Sequence, residues 1–282
     1  MRFEKINSWA KINLSLNVIK KLSNKFHNIE SLITFIKIYD EIKIKILNER
    51  EHKIYFTGKF SKGIPKNNTI LKLLKLLEKK KIIKNKKFEI KIKKNIPQKS
   101  GMGGGSMNAA SVLRYLIKKK IIKISNKKAL EVAYKVGSDV VLGLERKNSI
   151  LFKNGEVGRL KNKINFHVLI AKPNIDCLTK DIYANVRKYS KPLYNNKNKR
   201  FFKKSYLAES RNDLENVVFK KYPKIKSLKY FILNLPNILF ARMTGSGSAL
   251  VAYFKSKKAA NNAAKVFKSK YKNYWYIVSK TI

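Results

Sequence analysis

A glycine-rich segment in the first half of the chain restricts its fold more than any other feature. Glycine occupies four of the five positions from 101 to 105. The alternation of Phe88 to Ile92 predicts a strand before the segment, and apolar residues at helical spacing after Asn108 predict a helix behind it. Glycine permits backbone conformations that leave several N–H groups facing one anion, and the start of a helix adds positive potential. The segment therefore predicts a phosphate-binding loop, with a ligand-free glycine turn as the alternative.

Three familiar types of glycine-rich loop do not match this segment. A Walker A loop ends in Gly-Lys-Ser or Gly-Lys-Thr, whereas this segment ends in Gly105-Ser106-Met107. A dinucleotide-binding loop is followed after about 20 residues by an acidic residue, and residues 118–124 contain none. The protein-kinase sequences His-Arg-Asp and Asp-Phe-Gly do not occur in the chain. A different class of kinase is indicated.

Patterns in the first half of the chain predict strands and helices in a mixed order. Polar and apolar residues alternate over residues 11–18, which predicts a strand that places Lys11 and Asn13 on one face. Apolar residues at helical spacing follow Asn67 and Asn68, so one of these asparagines is expected to cap a helix. The expected fold class is α+β.

The length of 282 residues favours two domains, and we place the boundary near residue 160, giving domains 1–160 and 161–282. Asn126 is expected to cap a helix that ends at Gly137. Residues 153–156 predict a hairpin with a two-residue loop. The basic, poorly patterned stretch 188–204 is expected to be a mobile surface loop.

The chain carries 65 Lys and Arg residues against 17 Asp and Glu residues, a net charge of +48. Such a charge attracts polyanions at low salt, and a nucleic-acid-binding protein is the alternative of a different class. The lysines are spread through every segment, and Lys, Ile and Asn are the residues of A+T-rich codons, so compositional drift accounts for the excess. We expect no specific nucleic acid partner.

The location of the protein is expected to be cytoplasmic. The first residues lack the apolar core of a signal peptide, and no run approaches the roughly 20 apolar residues of a membrane span. The single cysteine, Cys177, has no partner for an internal disulfide and lies in no zinc-binding pattern.

Six separated segments together resemble one family of enzymes. The segments are Ala10-Lys11-Ile12-Asn13-Leu14, Phe26-His27-Asn28-Ile29-Glu30-Ser31-Leu32, the glycine-rich segment with Asn108-Ala109-Ala110, Gly137-Ser138-Asp139-Val140, Asn212-Asp213-Leu214-Glu215, and Ala241-Arg242-Met243-Thr244-Gly245-Ser246-Gly247. The chain resembles the GHMP small-molecule kinases over nearly its whole length. Within them it is similar to members that phosphorylate a CDP-linked methylerythritol, since its loop reads Gly-Gly-Gly-Ser before Met107-Asn108.

The resemblance implies a fold and a reaction. The fold is an N-terminal domain resembling a ribosomal-protein domain joined to a ferredoxin-like C-terminal domain. The reaction transfers the γ-phosphate of ATP, with Mg²⁺ carried by the nucleotide, to the 2-hydroxyl of the methylerythritol moiety of a CDP-linked substrate. The expected partners are these small molecules and no membrane, and the expected state is a monomer or weak homodimer. Another GHMP kinase, acting on homoserine or a mevalonate derivative, remains the alternative within the family.

The resemblance also implies roles for individual residues. Asp139 matches the catalytic aspartate, and Lys11 matches the lysine that partners it. ATP contacts are implied at Pro97, Lys99, Ser100, Gly101, Met102, Gly103, Gly104, Gly105, Ser106 and Asn108, and also at Asn68, for which a helix cap is an equally good interpretation. Substrate contacts are implied at Asn13, Phe26, His27, Thr179, Tyr183, Gly245, Ser246 and Gly247, with the aromatic rings and the histidine around the cytosine base.

The sequence departs from the family pattern at three positions. Phe26 replaces a tyrosine, which keeps the stacking face and removes a hydroxyl. Met107 stands where the family usually has a second serine, so we expect the phosphate loop to have one hydroxyl fewer. Val141 stands where a proline is common, which is expected to loosen the loop that holds Asp139.

Overall fold

The structure is a computed structural model that describes residues 2–23 and 26–282. The described residues form two compact units. The first takes in the described residues within 1–10, 38–98 and 103–146, and the second those within 11–37, 99–102 and 147–282. These units are defined by packing and interleave along the chain, so they do not test a single division near residue 160, which stays a prediction. None of the helices in the described residues is long and apolar enough to cross a membrane.

Two long strands run through residues of both units. They are β1 (Glu4–Lys21) and β2 (His27–Leu47). The elements that lie within the first unit are β3 (Lys53–Thr57), α1 (Thr69–Lys79), β4 (Lys87–Lys93), α2 (Gly104–Lys118), α3 (Asn126–Val136) and α4 (Ser138–Leu142). Strand β4 pairs in parallel with β3 and antiparallel with β2, where Ile92 lies opposite Ile42. The predicted strand before the glycine-rich segment and the predicted helix after it are both confirmed.

Helix α1 begins where the sequence predicts it. The Asn68 side chain accepts hydrogen bonds from the N–H groups of Ile70 and Leu71, each at 3.1 Å. These bonds satisfy two of the donors that a helix start leaves without an internal partner. The apolar positions Ile70, Leu73, Leu74 and Leu77 are buried, which is the amphipathic face that the spacing predicts.

The second unit holds the remaining elements. They are β5 (Asn148–Leu151), β6 (Val157–Leu160), β7 (His167–Lys172), α5 (Thr179–Ala184), a 3₁₀ turn (Lys199–Phe202), α6 (Lys204–Glu209), α7 (Leu214–Lys221), α8 (Pro223–Leu233), β8 (Ile238–Met243), β9 (Leu250–Phe254), α9 (Lys257–Lys270) and β10 (Trp275–Lys280). An antiparallel sheet of order β10-β7-β9-β8 receives α8 and α9, whose Ile232 and Phe267 belong to its core. This mixture of helices and an antiparallel sheet confirms the α+β class.

The segment 188–204 is largely the exposed loop that the sequence predicts, with no helix or strand over residues 188–198, but it includes a 3₁₀ turn (Lys199–Phe202) and buried aromatic residues; its mobility stays a prediction. The side chains of Tyr194, Phe201 and Phe202 are buried, and the Tyr194 and Phe201 rings lie 5.0 Å apart. The hydroxyls of Tyr194 and Ser15 form a buried hydrogen bond of 2.7 Å. These aromatic side chains anchor the segment, because each buried ring removes a large apolar surface from water.

Two smaller predictions also require correction. The cap of α3 is Ser125, whose hydroxyl accepts a hydrogen bond from the N–H of Lys128, while Asn126 is the first helical residue. Gly137 does end the helix, as predicted. The hairpin loop between β5 and β6 has three residues, since Phe152 and Glu156 still pair and Gly155 takes a φ of 86°.

We expect the variant Asn68→Ala to lower the free energy of unfolding by about 1 kcal/mol, because α1 loses its cap acceptor. Asn68→Asp keeps that acceptor and is expected to stay close to the wild type. Urea unfolding followed by circular dichroism measures the difference. Asn67→Ala, which removes the exposed neighbouring amide, is the control, and an equal loss in both alanine variants would contradict the cap assignment.

Candidate active site

The second half of the glycine-rich segment forms the start of helix α2. Gly103 is the cap residue, with a φ of 67°, a left-handed conformation that favours glycine. It has no side chain to accept hydrogen bonds, and the first turn, Gly104 to Met107, contains no acidic residue. No acidic side chain of α2 itself therefore competes for the N–H groups at this helix start, which suits an anionic ligand. Ser106 lies half-buried in the same turn.

A buried carboxylate holds this helix start against the chain that leads into it. Asp40 is fully buried, and its Oδ1 accepts hydrogen bonds from the N–H groups of Asn95 at 2.8 Å and Ile96 at 2.9 Å. Its Oδ2 accepts hydrogen bonds from Asn108 Nδ2 at 3.0 Å and from Lys94 Nζ. Asn108, implied as an ATP contact, therefore also ties the second turn of α2 to Asp40.

Asp40 and Lys94 were not predicted as site residues, although the position of Asp40 within a strand pattern points to it. Asp40 falls in register with Ile38 and Ile42 on the buried face of β2, where an acidic residue needs a specific partner. Lys94 is also buried, and a methyl group added at Gly104 would lie 3.2 Å from its Nζ. The ammonium therefore lies next to the first helical residue of α2.

The starts of α1 and α2 are joined by one hydrogen bond. Thr69 Oγ1 donates to the carbonyl of Gly105 at 2.8 Å. Asn68, one residue earlier, uses Oδ1 for the helix cap and donates from Nδ2 to the carbonyl of Lys66 at 3.0 Å. The cap interpretation of Asn68 is thus confirmed, and its contact with ATP stays a prediction.

Asp139 lies in the first turn of the short helix α4 and is half-buried. The next residues, Val140 and Val141, are fully buried and anchor the helix. A methyl group added at Gly143, directly after α4, would lie 2.5 Å from the Ala110 side chain of α2. The chain directly after the helix that carries Asp139 is therefore packed closely on α2.

Met107, where the family usually has serine, points into the core of the first unit. Its side chain is 1% exposed, and its sulfur would lie 3.1 Å from a methyl group added at Gly143. The flexible thioether fills the space beside the missing side chain of Gly143.

In the second unit, Lys11 and Asn13 lie on one face of β1, as predicted. Lys11 is 3% exposed, and its Nζ donates to Asn13 Oδ1 at 2.8 Å. Asn13 Nδ2 donates to Ser31 Oγ at 2.8 Å, and the Asn13 N–H donates to Thr244 Oγ1 at 3.0 Å. Lys11 is therefore a buried cation whose ammonium is bound by the amide oxygen of Asn13, and Asn13 is itself fixed by Ser31 and Thr244. Ser31 and Thr244 lie inside matched segments, but no role was predicted for them.

The first half of the glycine-rich segment packs on the loop between β8 and β9. Gly101 has a φ of 74°, and a methyl group added to it would lie 1.8 Å from the Thr244 carbonyl oxygen. Thr244 Oγ1 donates to the Gly101 carbonyl at 3.2 Å, and the Ser248 N–H donates to the Lys99 carbonyl at 3.2 Å. Gly245, with a φ of 54°, approaches the same backbone. This close approach requires glycine on both sides.

The other predicted residues of these two loops have mainly packing contacts. Pro97, Ser100 and Met102 are buried, and Ser100 Oγ accepts a hydrogen bond from the Met102 N–H at 3.4 Å. Gly247 has a φ of 86°, and a methyl group there would lie 2.8 Å from the Met243 sulfur. Ser246 shares a hydrogen bond of 2.8 Å with Thr179.

The segment Asn212 to Glu215 forms hydrogen bonds with the backbone at the β8–β9 loop. Asn212 Nδ2 donates to the carbonyls of Met243 at 2.9 Å and Gly245 at 2.8 Å. Glu215 Oε1 accepts a hydrogen bond from the Met243 N–H at 2.6 Å and another from the buried Lys229 at 2.8 Å. This segment resembles the family, but no role was predicted for it. Its hydrogen bonds show that it fixes the backbone of the β8–β9 loop.

Lys99 is an exposed cation at the edge of the loop. Its backbone has a φ of 48°, and its Nζ lies 3.0 Å from Asp176 Oδ2. Lys172 Nζ lies 3.3 Å from the other oxygen of the same carboxylate. Burial alone would raise the pKa of Asp176, but hydrogen bonds from Lys99 and Lys172 hold that pKa below its ordinary value. Asp176 was not predicted, because nothing in the sequence pairs it with the glycine-rich segment.

Aromatic rings gather around His27 in the second unit. The His27 ring centroid lies 5.2 Å from that of Tyr183 and 6.4 Å from that of Tyr189. Burial, followed by the positive charge of Lys21, lowers the pKa of His27, so the neutral imidazole predominates at neutral pH. Phe26 is 71% exposed and presents its ring to solvent. The structure thus brings His27 and Tyr183 together as predicted and adds Tyr189, which the sequence did not indicate.

Comparison with known proteins identifies the family. Residues 68–146 match the model of the GHMP kinases N terminal domain, and residues 193–273 match the model of the GHMP kinases C terminal domain. The two matched regions cover more than half of the chain. The chain belongs to the GHMP kinase family. As a kinase of this family it uses ATP, and the glycine-rich segment and Asp139 lie within the first matched region.

Individual relatives are similar over nearly the whole length of this GHMP kinase. It is 54% identical to the 4-diphosphocytidyl-2-C-methyl-D-erythritol kinase of Pelagibacter ubique, covering 99% of both chains. It is 33% identical to the enzyme of the same name from Clostridioides difficile, covering 99% of this chain and 96% of the relative. A crystal structure of 4-(cytidine 5'-diphospho)-2C-methyl-D-erythritol kinase superposes with a TM-score of 0.76 at 21% identity, covering 99% of both chains, which supports the predicted GHMP kinase fold.

We expect the variant Gly101→Ala to lower kcat/KM on the order of 100-fold, because its methyl group displaces the loop from Thr244. Gly63→Ala is the matched control, since Gly63 has a similar φ of 78° with nothing within 4 Å of an added methyl group. Steady-state kinetics and thermal unfolding of both variants separate the effect of the clash from that of backbone strain. Equal losses in the two variants would show that the contact with Thr244 is unimportant.

Proposed function

We propose that this GHMP kinase is a 4-diphosphocytidyl-2-C-methyl-D-erythritol kinase. It transfers the γ-phosphate of ATP to the 2-hydroxyl of the methylerythritol moiety of its CDP-linked substrate. The observation that carries this proposal is the 54% identity, over 99% of the chain, to the Pelagibacter ubique enzyme of that name. The rings around the neutral His27 support it, since a flat nucleobase stacks on such rings and accepts hydrogen bonds from an imidazole.

The proposed mechanism assigns the nucleotide to the start of α2. The N–H groups of Gly104 to Ser106 and the positive end of the helix hold the phosphates. Lys94 lies beside Gly104 but is paired with Asp40, so the two charges largely offset each other and the helix N–H groups provide most of the attraction for the anion. Asn68, Pro97 and the residues from Lys99 to Asn108 complete the proposed ATP contacts.

Proton transfer and charge neutralisation are assigned to Asp139 and Lys11. Phosphoryl transfer depends mainly on positioning and charge neutralisation, together with a base for the attacking hydroxyl. Asp139 accepts the proton of the substrate hydroxyl, and Lys11 stabilises negative charge that develops on the attacking oxygen. Asn13, which fixes Lys11, also contacts the substrate in this proposal. Phe26, His27, Tyr183 and Thr179 bind the cytidine side, and Gly245, Ser246 and Gly247 line the site.

Magnesium is proposed to arrive with ATP. Among the described residues, no group of three or more His, Cys, Asp or Glu side chains is placed to hold a metal ion. Mg²⁺ commonly keeps several waters and binds through nucleotide phosphates, so we assign it no protein ligand. Bound in that way, magnesium neutralises phosphate charge. A cytoplasmic location and a monomeric or weakly dimeric state are further parts of the proposal.

We expect the purified protein with MgATP to release ADP when 4-diphosphocytidyl-2-C-methyl-D-erythritol is added. Homoserine and mevalonate are expected to give only background rates, because neither presents a nucleobase to the rings around His27. A coupled assay for ADP measures all three. Similar turnover of the three alcohols would rule out the cytidyl assignment, and turnover of homoserine or mevalonate alone would favour the corresponding kinase.

The variant Asp139→Asn is expected to reduce kcat by about 100-fold or more, since it removes the general base. Its affinity for ATP, measured by isothermal titration calorimetry, is expected to stay close to the wild type. Ser138→Ala, at the exposed neighbouring position of α4, is the control and should retain its rate. Near-normal turnover by Asp139→Asn would assign the base to another residue.

A further inference from the structure

Tyr189 lies against the ring of His27, although no sequence pattern marks it as part of a site. The two ring centroids are 6.4 Å apart and the ring planes are inclined by 28°, a stacked arrangement. Tyr189 is nevertheless 45% exposed, so a large part of its ring is open to solvent. The spacing lies within the range of interacting aromatic pairs, and the exposed part of the Tyr189 side chain is accessible to another flat group.

The residue after Tyr189 is firmly anchored. The Ser190 N–H donates to the Val18 carbonyl of β1 at 2.8 Å, and Ser190 Oγ donates to Asp213 Oδ2 at 2.6 Å. The same carboxylate oxygen accepts a hydrogen bond from the Val18 N–H at 2.8 Å. Arg211 adds an ion pair to Asp213 at 3.1 Å and a hydrogen bond to Ser190 Oγ at 3.0 Å.

The chain before Tyr189 is anchored as well. Val186 is buried, and its N–H donates to the carbonyl of Tyr183 at 3.2 Å. Tyr183 itself lies 5.2 Å from His27. One short segment, held at Val186 and at Ser190, therefore brings two tyrosine rings to the same imidazole. These contacts fix the backbone on both sides of Tyr189, and the ring itself lies against His27.

We propose that Tyr189 is a substrate-binding residue whose ring, with those of His27 and Tyr183, forms the surface that receives the cytosine base. This inference rests on the proposed function, because it requires a cytidine-containing substrate. An aromatic ring held in place before the ligand arrives loses little conformational freedom on binding. Stacking on such a ring requires a flat π surface on the ligand, so Tyr189 contributes to selection of the nucleotide moiety and not to the transfer step.

Substitution of Tyr189 by leucine and by phenylalanine separates stacking from simple packing. Leucine fills the space against His27 without an aromatic face, whereas phenylalanine keeps that face and loses only the hydroxyl. The probe is CDP, titrated by calorimetry into the whole protein without ATP. We expect Tyr189→Leu to weaken CDP binding by about 5-fold or more and Tyr189→Phe to stay within about 2-fold of the wild type. The matched control is Tyr230→Leu, since Tyr230 lies on α8 and is 58% exposed.

Kinetics with the CDP-linked substrate provide a second measurement. We expect Tyr189→Leu to raise the KM for that substrate by a similar factor, with kcat at saturation and the KM for ATP unchanged. Wild-type affinity for CDP in Tyr189→Leu would overturn the inference and leave the proposed function standing, since packing alone would then account for the ring. If the wild type neither binds CDP nor turns over the CDP-linked substrate, the proposed function fails and the inference fails with it.

Discussion

The buried carboxylate of Asp40 is the interaction on which the proposed phosphate-binding part of the first unit depends. It accepts hydrogen bonds from two backbone N–H groups and from Asn108, and it pairs with Lys94. A buried charge is tolerated only when it is paired and its lone pairs are satisfied, and Asp40 meets both conditions. Three of the four donors come from the chain that directly follows β4, and the fourth comes from α2. One side chain therefore fixes the glycine-rich segment at its entry and at its exit.

The second unit fixes its functional residues by a different means. Here the segment Asn212 to Glu215 contributes three polar side chains that bind two separate pieces of backbone. Asn212 and Glu215 hold the β8–β9 loop. Asp213 accepts hydrogen bonds from the Val18 N–H of β1 and from the Ser190 hydroxyl. The loop then meets Gly101, where backbone touches backbone because neither Gly101 nor Gly245 carries a side chain. In this unit the loops are positioned by hydrogen bonds from side chains to the main chain and by glycines that let two backbones approach closely.

Local patterns carried most of the predictable information. The alternation of residues 11–18 correctly predicts that Lys11 lies beside Asn13, and the apolar spacing after Asn68 correctly predicts α1. Each of these relationships lies within a single strand or helix, whose period sets it. Contacts between segments that are distant in the sequence produce no periodic pattern from which they could be predicted. Tyr189 meets His27, and Asp176 meets Lys99, only after the chain has folded, so neither pair forms a motif. The anchoring of the segment 188–204 was not predicted, because its three buried aromatic residues are scattered among lysines and asparagines and form no periodic pattern. The family resemblance supplied the site roles that spacing alone does not provide.

The positive charge of the chain divides into two populations with different histories. Among the described residues, the buried cations are Lys11, Lys94, Lys172, Lys229 and Arg242, and each has oxygen acceptors from named residues. Most of the other lysines lie on the surface, where a cation is tolerated almost anywhere. Drift in codon usage can therefore add or remove surface lysines over evolutionary time with little effect on the fold. The few enclosed cations have no such freedom, and a comparison of related genomes with different base composition would separate the two groups.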